Sequence, residues 1–206
     1  MRADFIRYVL TFLEGGVYSD TDTAPVRPLL EWVPEEFRNK TRLIVGVEAD
    51  SQPPVPGTKY PVQLGQWTFA AAKGQPVLWR MIQRVLNEVA ERLRAEKALE
   101  KTQPERHLGP NTVDFSDSDV LTVSGPIGWT EEICGYLSEM TQSDFTWENL
   151  TDIRRPRMFA DVLVLPIDGF ATGVPHSGAS ITQGNETKVM HYFTASWKGG
   201  QMEDIC

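Results

Sequence analysis

Apolar side chains recur three and four positions apart over residues 3–14, with charged and polar ones between them, which predicts an amphipathic helix. Gly15-Gly16 follows, and such glycines are typical of a helix C-terminus. Val17–Ser19 is predicted to be a short strand leading to Asp20–Thr23, and Pro25 and a second proline three residues later are expected to end strand pairing. The pattern therefore places two carboxylates at the end of a strand.

The middle of the chain predicts a strand, a loop and two helices. Leu43–Val47 is apolar enough for a buried strand, and the Pro- and Gly-rich segment 50–61 is a candidate for an active-site rim. Helical patterns are predicted at about Gln63–Ala72 and again from Pro76, a residue suited to a first helical position. The second pattern continues into a run of charged residues, which predicts one long amphipathic helix with a solvated end.

The second half of the chain contains shorter elements. Residues 101–119 are polar and predict a surface excursion within one domain. The other predicted elements are a short strand over Val120–Val123, a helix over Trp129–Met140 and a buried strand over Asp161–Leu165. A strand-ending turn is one structural explanation of Gly125-Pro126. Interleaved strands and helices of this kind indicate a single α/β domain over residues 1–206.

Composition narrows the classes of function. With 41% hydrophobic residues, the 206-residue chain contains enough apolar material for one core. Its net charge of −8 disfavours nucleic acid and anionic membrane surfaces as partners. No apolar run approaches the roughly 18 residues of a membrane span. Three N-glycosylation triplets, at Asn39, Asn149 and Asn185, mildly favour a location in a secretory lumen.

The sharpest chemical feature is the pair Asp20-x-Asp22. In an extended segment, residues two apart point to the same side, so both carboxylates are expected to face one hard cation. A cation held in that way is suited to neutralising the diphosphate of a nucleotide-sugar as it leaves. The bare triplet is common in proteins, and a solvated turn after a strand is its ordinary structural explanation.

Further sequence blocks give this triplet a context. Arg-Ala-Asp-Phe-Ile-Arg-Tyr at residues 2–8 precedes Gly-Gly-Val-Tyr-Ser-Asp-Thr-Asp-Thr at 15–23. The later blocks are Gly46–Asp50, Gln63–Phe69, Gly125-Pro126, Asp161–Pro166 and His191–Lys198. In this order, over nearly the whole chain, they resemble glycosyltransferase family 32, which includes the fungal initiation-specific α-1,6-mannosyltransferases. The resemblance implies a GT-A-type α/β fold that transfers a sugar from a nucleotide donor with retention of configuration, using Mn²⁺ or Mg²⁺.

The resemblance also assigns roles to individual residues. Asp20 and Asp22 match the metal and diphosphate motif and, with Arg7, are the implied catalytic residues. Asp4 and Arg7 match positions that hold the donor sugar. In the tail, His191 matches a metal or phosphate ligand, and the departing diphosphate is assigned to Ser196, Trp197 and Lys198. On the acceptor side the candidates are Glu48, Asp50, Gln66 and Trp67.

Each assignment has a structural alternative. Asp4 and Arg7, three apart on a helix, fit a surface ion pair, and His191 fits a satisfied core histidine. Trp197 fits ordinary packing. Glu48 and Asp50 fit plain solvation at a strand end, while Gln66 and Trp67 fit a helix cap.

Two other classes of protein share part of the pattern. Asp20-Thr21-Asp22-Thr23 matches the Asp-x-Asp-x-Thr motif of haloacid-dehalogenase-like phosphatases, in which the first aspartate is a nucleophile. That fold needs a longer apolar strand before the first Asp than Val17–Ser19 supplies. The third class is a truncated, non-catalytic transferase remnant, because relatives carry nucleotide-binding strands and a membrane anchor ahead of the first block.

The expectation from the sequence is thus a metal-dependent, retaining mannosyltransferase domain whose N-terminal part is incomplete. The resemblance implies GDP-mannose as donor and an N-glycan-type acceptor in the Golgi lumen, with the full-length form a type II membrane protein. A mannosyltransferase acting on inositol phosphoceramide is the alternative within the same family.

Overall fold

The computed structural model describes residues 1–102 and 113–192 of the chain. Its strands are β1 Gly16–Ser19, β2 Thr23–Pro25, β3 Leu43–Asp50, β4 Val62–Ala71, β5 Arg157–Phe159, β6 Val162–Leu165 and β7 Val189–His191. Its α-helices are α1 Arg2–Glu14, α2 Pro76–Thr102, α3 Asp117–Val123, α4 Pro126–Thr141 and α5 Ile167–Phe170. Short 3₁₀ turns lie at Leu29–Glu31, Glu35–Phe37, Trp147–Leu150 and Pro175–Ser177.

Five strands form one mixed sheet in the order β1-β4-β3-β6-β5. Within it, β3 and β6 are parallel, and the other neighbouring strands are antiparallel. β2 and β7 form a separate two-stranded ribbon. The architecture is therefore mixed α/β, as the sequence predicts.

The sheet carries a core cluster on each face. The larger one joins α1, α2 and α4 to the sheet and includes Tyr8, Phe69 and Trp129, which are fully buried. The smaller one gathers Trp32, Phe170 and neighbouring apolar residues. Along β6, successive residues enter the two clusters in turn, as the two-residue period of a strand requires.

Several elements confirm the sequence pattern. α1 and the strand after it lie where they are predicted, and Gly15 ends the helix with φ of 71°, a value that favours glycine. α2 begins at Pro76, and β3 and β6 cover the two predicted buried strands. Of the predicted surface excursion, residues 103–112 lie outside the described part of the chain.

The predicted helix over Gln63–Ala72 is wrong, because this segment is β4. All ten residues of β4 are buried between β1 and β3, including the polar Gln63, Gln66 and Thr68. A strand buried on both faces has no polar alternation to identify it, and its polar residues then imitate the spacing of a helix. Hydrogen bonds to two neighbouring strands decide its conformation.

The predicted strand over Val120–Val123 is also wrong, because these residues form the end of α3. Ser116 and Asp119 make a capping box at its start, and this local signal outweighs the β-branched residues that follow. Gly125-Pro126 is likewise the N-cap and first residue of α4 rather than a strand-ending turn.

Pro25 is the last residue of β2, as the prolines predict, although it is itself paired with Val189 in the β2–β7 ribbon. A two-stranded ribbon consists only of edges, where a missing N–H is tolerated.

The helices of residues 1–102 and 113–192 include none whose length and apolar character match a membrane-spanning segment.

Candidate active site

The end of β1 delivers Asp20 to the edge of the sheet. β1 pairs with β4, with Ser19 opposite Thr68, and the next residue continues the contact because the Asp20 N–H donates to the carbonyl of Trp67 at 2.8 Å. The prediction of a carboxylate at a strand terminus is therefore confirmed.

Residues 20–23 form a turn, so the expected extended geometry of the Asp-x-Asp pair is wrong. The Asp20 carbonyl accepts from both the N–H and the hydroxyl of Thr23, at 3.2 and 2.7 Å. Ser19 joins this turn to β4 through hydroxyl contacts of 2.6 Å to Thr23 and 2.7 Å to Thr68. The turn brings Asp22 to the β2–β7 ribbon, where Asp22 and Asp20 both act electrostatically on His191.

Arg7 connects α1 to this turn. Its guanidinium lies 2.9 Å from Asp4 and 3.5 Å from Asp20, and it donates to the carbonyl of Gln66 at 2.8 Å. It also lies over the ring of Tyr18, 4.7 Å from the centroid. The surface ion pair suggested by the helical spacing is therefore excluded, because Arg7 is only 5% exposed and Asp4 only 7%.

A buried polar network, in addition to Arg7, holds Asp4. Ser124, at the end of α3, donates to Asp4 at 2.8 Å, and the Gln66 amide lies 3.4 Å from it. Tyr8 donates to both the Ser124 carbonyl and the Gln66 side chain. The sequence pattern missed Ser124, which immediately precedes the Gly125-Pro126 block.

Tyr18 is a second residue that sequence reasoning missed, although it stands inside the motif block. Its hydroxyl donates to Asp20 Oδ1 at 2.6 Å. Burial and this hydrogen bond raise the pKa of Tyr18 to about 12, so the phenol stays protonated and remains a donor. Its position two residues before Asp20, on the same side of a short strand, was the available signal.

Replacing Tyr18 with Phe is expected to lower turnover about tenfold while leaving the fold intact. The variant keeps the ring beneath Arg7 but removes one charge-assisted hydrogen bond to Asp20, an interaction of roughly 1.5–3 kcal/mol. Circular dichroism and steady-state kinetics of the sugar transfer that the sequence predicts would measure this. Tyr60→Phe is the matched control, because it removes a tyrosine–carboxylate hydrogen bond of 2.8 Å to Glu131. Unchanged turnover in Tyr18→Phe would contradict a role in orienting Asp20.

Asp22 and His191 meet across the β2–β7 ribbon. Thr23 pairs with His191, the Tyr192 N–H donates to the Asp22 carbonyl at 2.9 Å, and His191 Nε2 lies 3.2 Å from Asp22 Oδ1. The ring of Trp67 packs against His191 with centroids 4.9 Å apart. Burial lowers the pKa of His191, while Asp22 and Asp20 act in the opposite direction. A neutral imidazole beside a carboxylate is a metal-ligating combination.

The donor set suits a divalent cation, although the described side chains are not assembled as a closed cage. Asp20 and Asp22 keep 29% and 22% of their side chains exposed. Carboxylate oxygens and an imidazole are ligand types that Mn²⁺ accepts. Within the two described ranges, no three His, Cys, Asp or Glu side chains form a group placed to hold a metal ion. The predicted diphosphate donors Ser196, Trp197 and Lys198 lie outside the described residues.

The predicted acceptor-side residues separate in the structure. Gln66 belongs to the Asp4 network, and Trp67 packs on His191, so neither caps a helix. Asp50 accepts the Asp152 N–H at 2.8 Å and ties two loops together. Glu48 accepts a 3.0 Å hydrogen bond from Gln63, and burial raises the pKa of Glu48 to about 7.

The phosphatase hypothesis does not fit the position of Asp20. β1 has four residues, lies at the edge of the sheet and pairs antiparallel with β4.

Comparison with known proteins agrees with the motif blocks. Residues 1–38 match the family described as "Glycosyltransferase sugar-binding region containing DXD motif". The chain is 38% identical over 201 residues to an initiation-specific alpha-1,6-mannosyltransferase of Schizosaccharomyces pombe, an alignment covering 96% of this chain and 47% of that protein. It is 30% identical to the protein of the same name from Candida albicans, covering 100% of this chain and 56% of that protein.

A putative glycosyltransferase of Saccharomyces cerevisiae is 32% identical over 173 residues, covering 81% of this chain and 41% of that protein. The chain thus spans about half the length of the curated relatives it matches. The matched region contains the Asp20-x-Asp22 pair together with Asp4, Arg7 and Tyr18. Residues 1–38 thus match the glycosyltransferase family whose sugar-binding region contains the DXD motif, and the similarity to the named transferases extends over most of the chain.

Proposed function

We propose that this chain is a GT-A-type domain that transfers a mannosyl group from GDP-mannose to a glycan acceptor, with a divalent cation and with retention of configuration. The observation that carries the proposal is the position of Arg7, which lies within ion-pair distance of both Asp4 and Asp20 at the end of β1. A sugar-binding carboxylate is thereby joined to the first aspartate of the metal motif. The names of the relatives support mannose as the transferred sugar.

The two aspartates would hold Mn²⁺ or Mg²⁺, with His191 beside Asp22. When bound, such a cation neutralises the charge that develops on the departing diphosphate. Tyr18 and Arg7 orient the Asp20 carboxylate, and His191 orients that of Asp22. Fixed orientation matters because a ligand that is already in place needs no reorganisation during the reaction.

Asp4 and Arg7 are proposed to bind the donor sugar. The Nε of Arg7 is buried and makes no hydrogen bond to another described residue, so this N–H keeps the capacity to donate one more hydrogen bond. Asp4 is held by Ser124, Gln66 and Arg7, which fixes its two oxygens. Ser196, Trp197 and Lys198 are proposed to complete the diphosphate site.

The acceptor and compartment are proposals of the same kind. An N-glycan in the Golgi lumen is consistent with relatives named for initiation-specific α-1,6-mannosyl transfer. Asn39, Asn149 and Asn185, the N-glycosylation triplets, are exposed. The alternative acceptor is inositol phosphoceramide, which is to be compared with the N-glycan.

Calorimetry with GDP-mannose tests the donor assignment directly. We expect saturable binding in the presence of Mn²⁺ that is lost with EDTA, and weaker binding of UDP-glucose. Product analysis with a high-mannose N-glycan and with inositol phosphoceramide then distinguishes the two acceptors. No heat with GDP-mannose and Mn²⁺, from this chain or from one extended at its N-terminus, would overturn the proposed donor.

A further inference from the structure

A polar pair on β3 and β4 is not used by the donor site. Gln63 Nε2 donates to Glu48 Oε2 at 3.0 Å. Gln63 is only 1% exposed, and its Oε1 makes no hydrogen bond within the described part of the chain. Glu48 keeps part of its surface exposed, and no described cationic group lies within 4 Å of it. The pair therefore consists of a carboxylate held by one neutral amide.

Gln63 of this pair lies on β4 four residues before Trp67, the residue that contacts the Asp20-x-Asp22 motif. Val62 and Leu64 enter the larger core, so Gln63 and Gly65 face the opposite side of β4. The ring of Trp67 covers Gly65, where a Cβ atom would lie 2.9 Å from it. Two residues of a strand span about 7 Å, so Gln63 lies about 7 Å along β4 from Gly65.

Trp67, on the same strand as Gln63, contacts the aspartate motif. It packs on His191, which pairs with Asp22, and its carbonyl accepts the Asp20 N–H. Glu48, on the neighbouring strand β3, contacts Gln63. It stands near the carboxyl end of β3, which is parallel to β6, and the carboxyl ends of parallel strands are where ligands bind in α/β sheets.

The chemistry of the pair favours a hydroxyl-bearing ligand. Burial raises the pKa of Glu48 to about 7, because the hydrogen bond from Gln63 offsets only part of the loss of solvation. A carboxylate without a cationic neighbour gains stabilisation from each hydroxyl that donates to it. The Oε1 atom of Glu48 makes no hydrogen bond to another described residue and is the oxygen open to such a donor.

We propose that Glu48 Oε1 binds a hydroxyl group of the acceptor sugar, and that Gln63 is a positioning residue that holds Glu48 in the orientation required. The inference rests on the proposed mannosyl transfer and adds to it the residue that recognises the acceptor. The sequence indicates four acceptor-side residues, and three of them make other contacts: Asp50 ties two loops together, Gln66 belongs to the Asp4 network and Trp67 packs on His191. Glu48 makes none of these contacts.

The test separates acceptor binding from donor chemistry. Glu48→Gln is compared with wild type in two assays containing GDP-mannose and Mn²⁺: transfer to a high-mannose N-glycan, and hydrolysis of GDP-mannose without acceptor. We expect the KM for the glycan to rise about tenfold, while hydrolysis and the Kd for GDP-mannose stay within twofold. Glu48→Asp, which shortens the side chain, should give an intermediate KM, and Glu91→Gln on the exposed part of α2 is the matched control.

Exchanging the two residues distinguishes recognition from structural pairing. The double variant Glu48→Gln with Gln63→Glu keeps one carboxylate and one amide in contact but moves the carboxylate to β4. If Glu48 binds the acceptor, the exchange leaves the KM for the glycan raised. Restoration of the wild-type KM by the exchange would overturn the proposal, and so would an unchanged KM in Glu48→Gln.

Failure of the two proposals gives different results. If wild type transfers mannose and Glu48→Gln retains its KM for the glycan, only the acceptor inference is overturned. If wild type neither binds, hydrolyses nor transfers from GDP-mannose, the proposed function fails and the acceptor inference fails with it.

Discussion

Asp22→Asn is expected to reduce mannosyl transfer roughly a thousandfold while the fold is retained, and Asp20→Asn should do the same. Each change removes one negative charge from the proposed cation site, and a bound cation supplies several kcal/mol of stabilisation to the departing diphosphate. Each 1.4 kcal/mol of lost transition-state stabilisation lowers the rate about tenfold. Both side chains are partly exposed, so their replacement should change the stability of the protein little.

The measurement is the initial rate of transfer at saturating GDP-mannose, with nucleotide binding titrated against Mn²⁺. Both variants should lose the Mn²⁺-dependent part of binding. Asp144→Asn, at an exposed position far along the chain, is the control that changes the net charge equally. A variant at Asp22 that still binds GDP-mannose only when Mn²⁺ is present would contradict the assignment of that aspartate.

Arg7→Met is expected to destabilise the protein by about 3–5 kcal/mol, the largest effect on stability among the substitutions considered. The change removes the guanidinium from Asp4, which stays buried beside Ser124 and Gln66, and breaking a buried ion pair carries a penalty of that order. The Met1 ammonium, 3.4 Å from Asp4, remains. Asp20 also loses a cationic neighbour at 3.5 Å. Urea unfolding of the variant and wild type at pH 7 measures the difference.

A double-mutant cycle tests whether the pair is the cause. Asp4→Asn combined with Arg7→Met removes both charges, so it should recover much of the stability lost in Arg7→Met alone. The double variant should remain inactive, because both proposed sugar-binding groups are altered. Additive losses of stability in the two single variants would show that Asp4 and Arg7 do not stabilise each other.

Local signals account for the elements that were predicted correctly. The three- and four-residue spacing in α1 and α2 lies on surface helices, where one face meets the core and the other meets water. Asp20 was likewise placed at a strand end because a glycine stop and a short apolar run precede it. These signals are carried by residues adjacent in the chain, so no tertiary information is needed to interpret them.

The errors fall where tertiary contacts decide conformation. β4 is buried on both faces and takes its hydrogen bonds from β1 and β3, which are distant in the sequence. The turn after Asp20 depends on hydroxyl contacts that reach Thr68 in β4. Ser124 contacts Asp4, which lies 120 residues away in the sequence, and Gln63 contacts Glu48, which lies 15 residues away. Spacing along the chain carries no information about such contacts.

The sequence by itself determined that this chain is an acidic α/β protein with an Asp-x-Asp pair at a strand end, and its ordered blocks showed the resemblance to a glycosyltransferase family. Only the tertiary structure decided that Asp4 and Arg7 are buried rather than solvated, that Asp22 meets His191, and that Glu48 pairs with Gln63. The physical reason is that composition and periodicity record which residues avoid water along one element. The partner of each buried charge is chosen by the packing of several elements, and that packing is decided by the whole sheet.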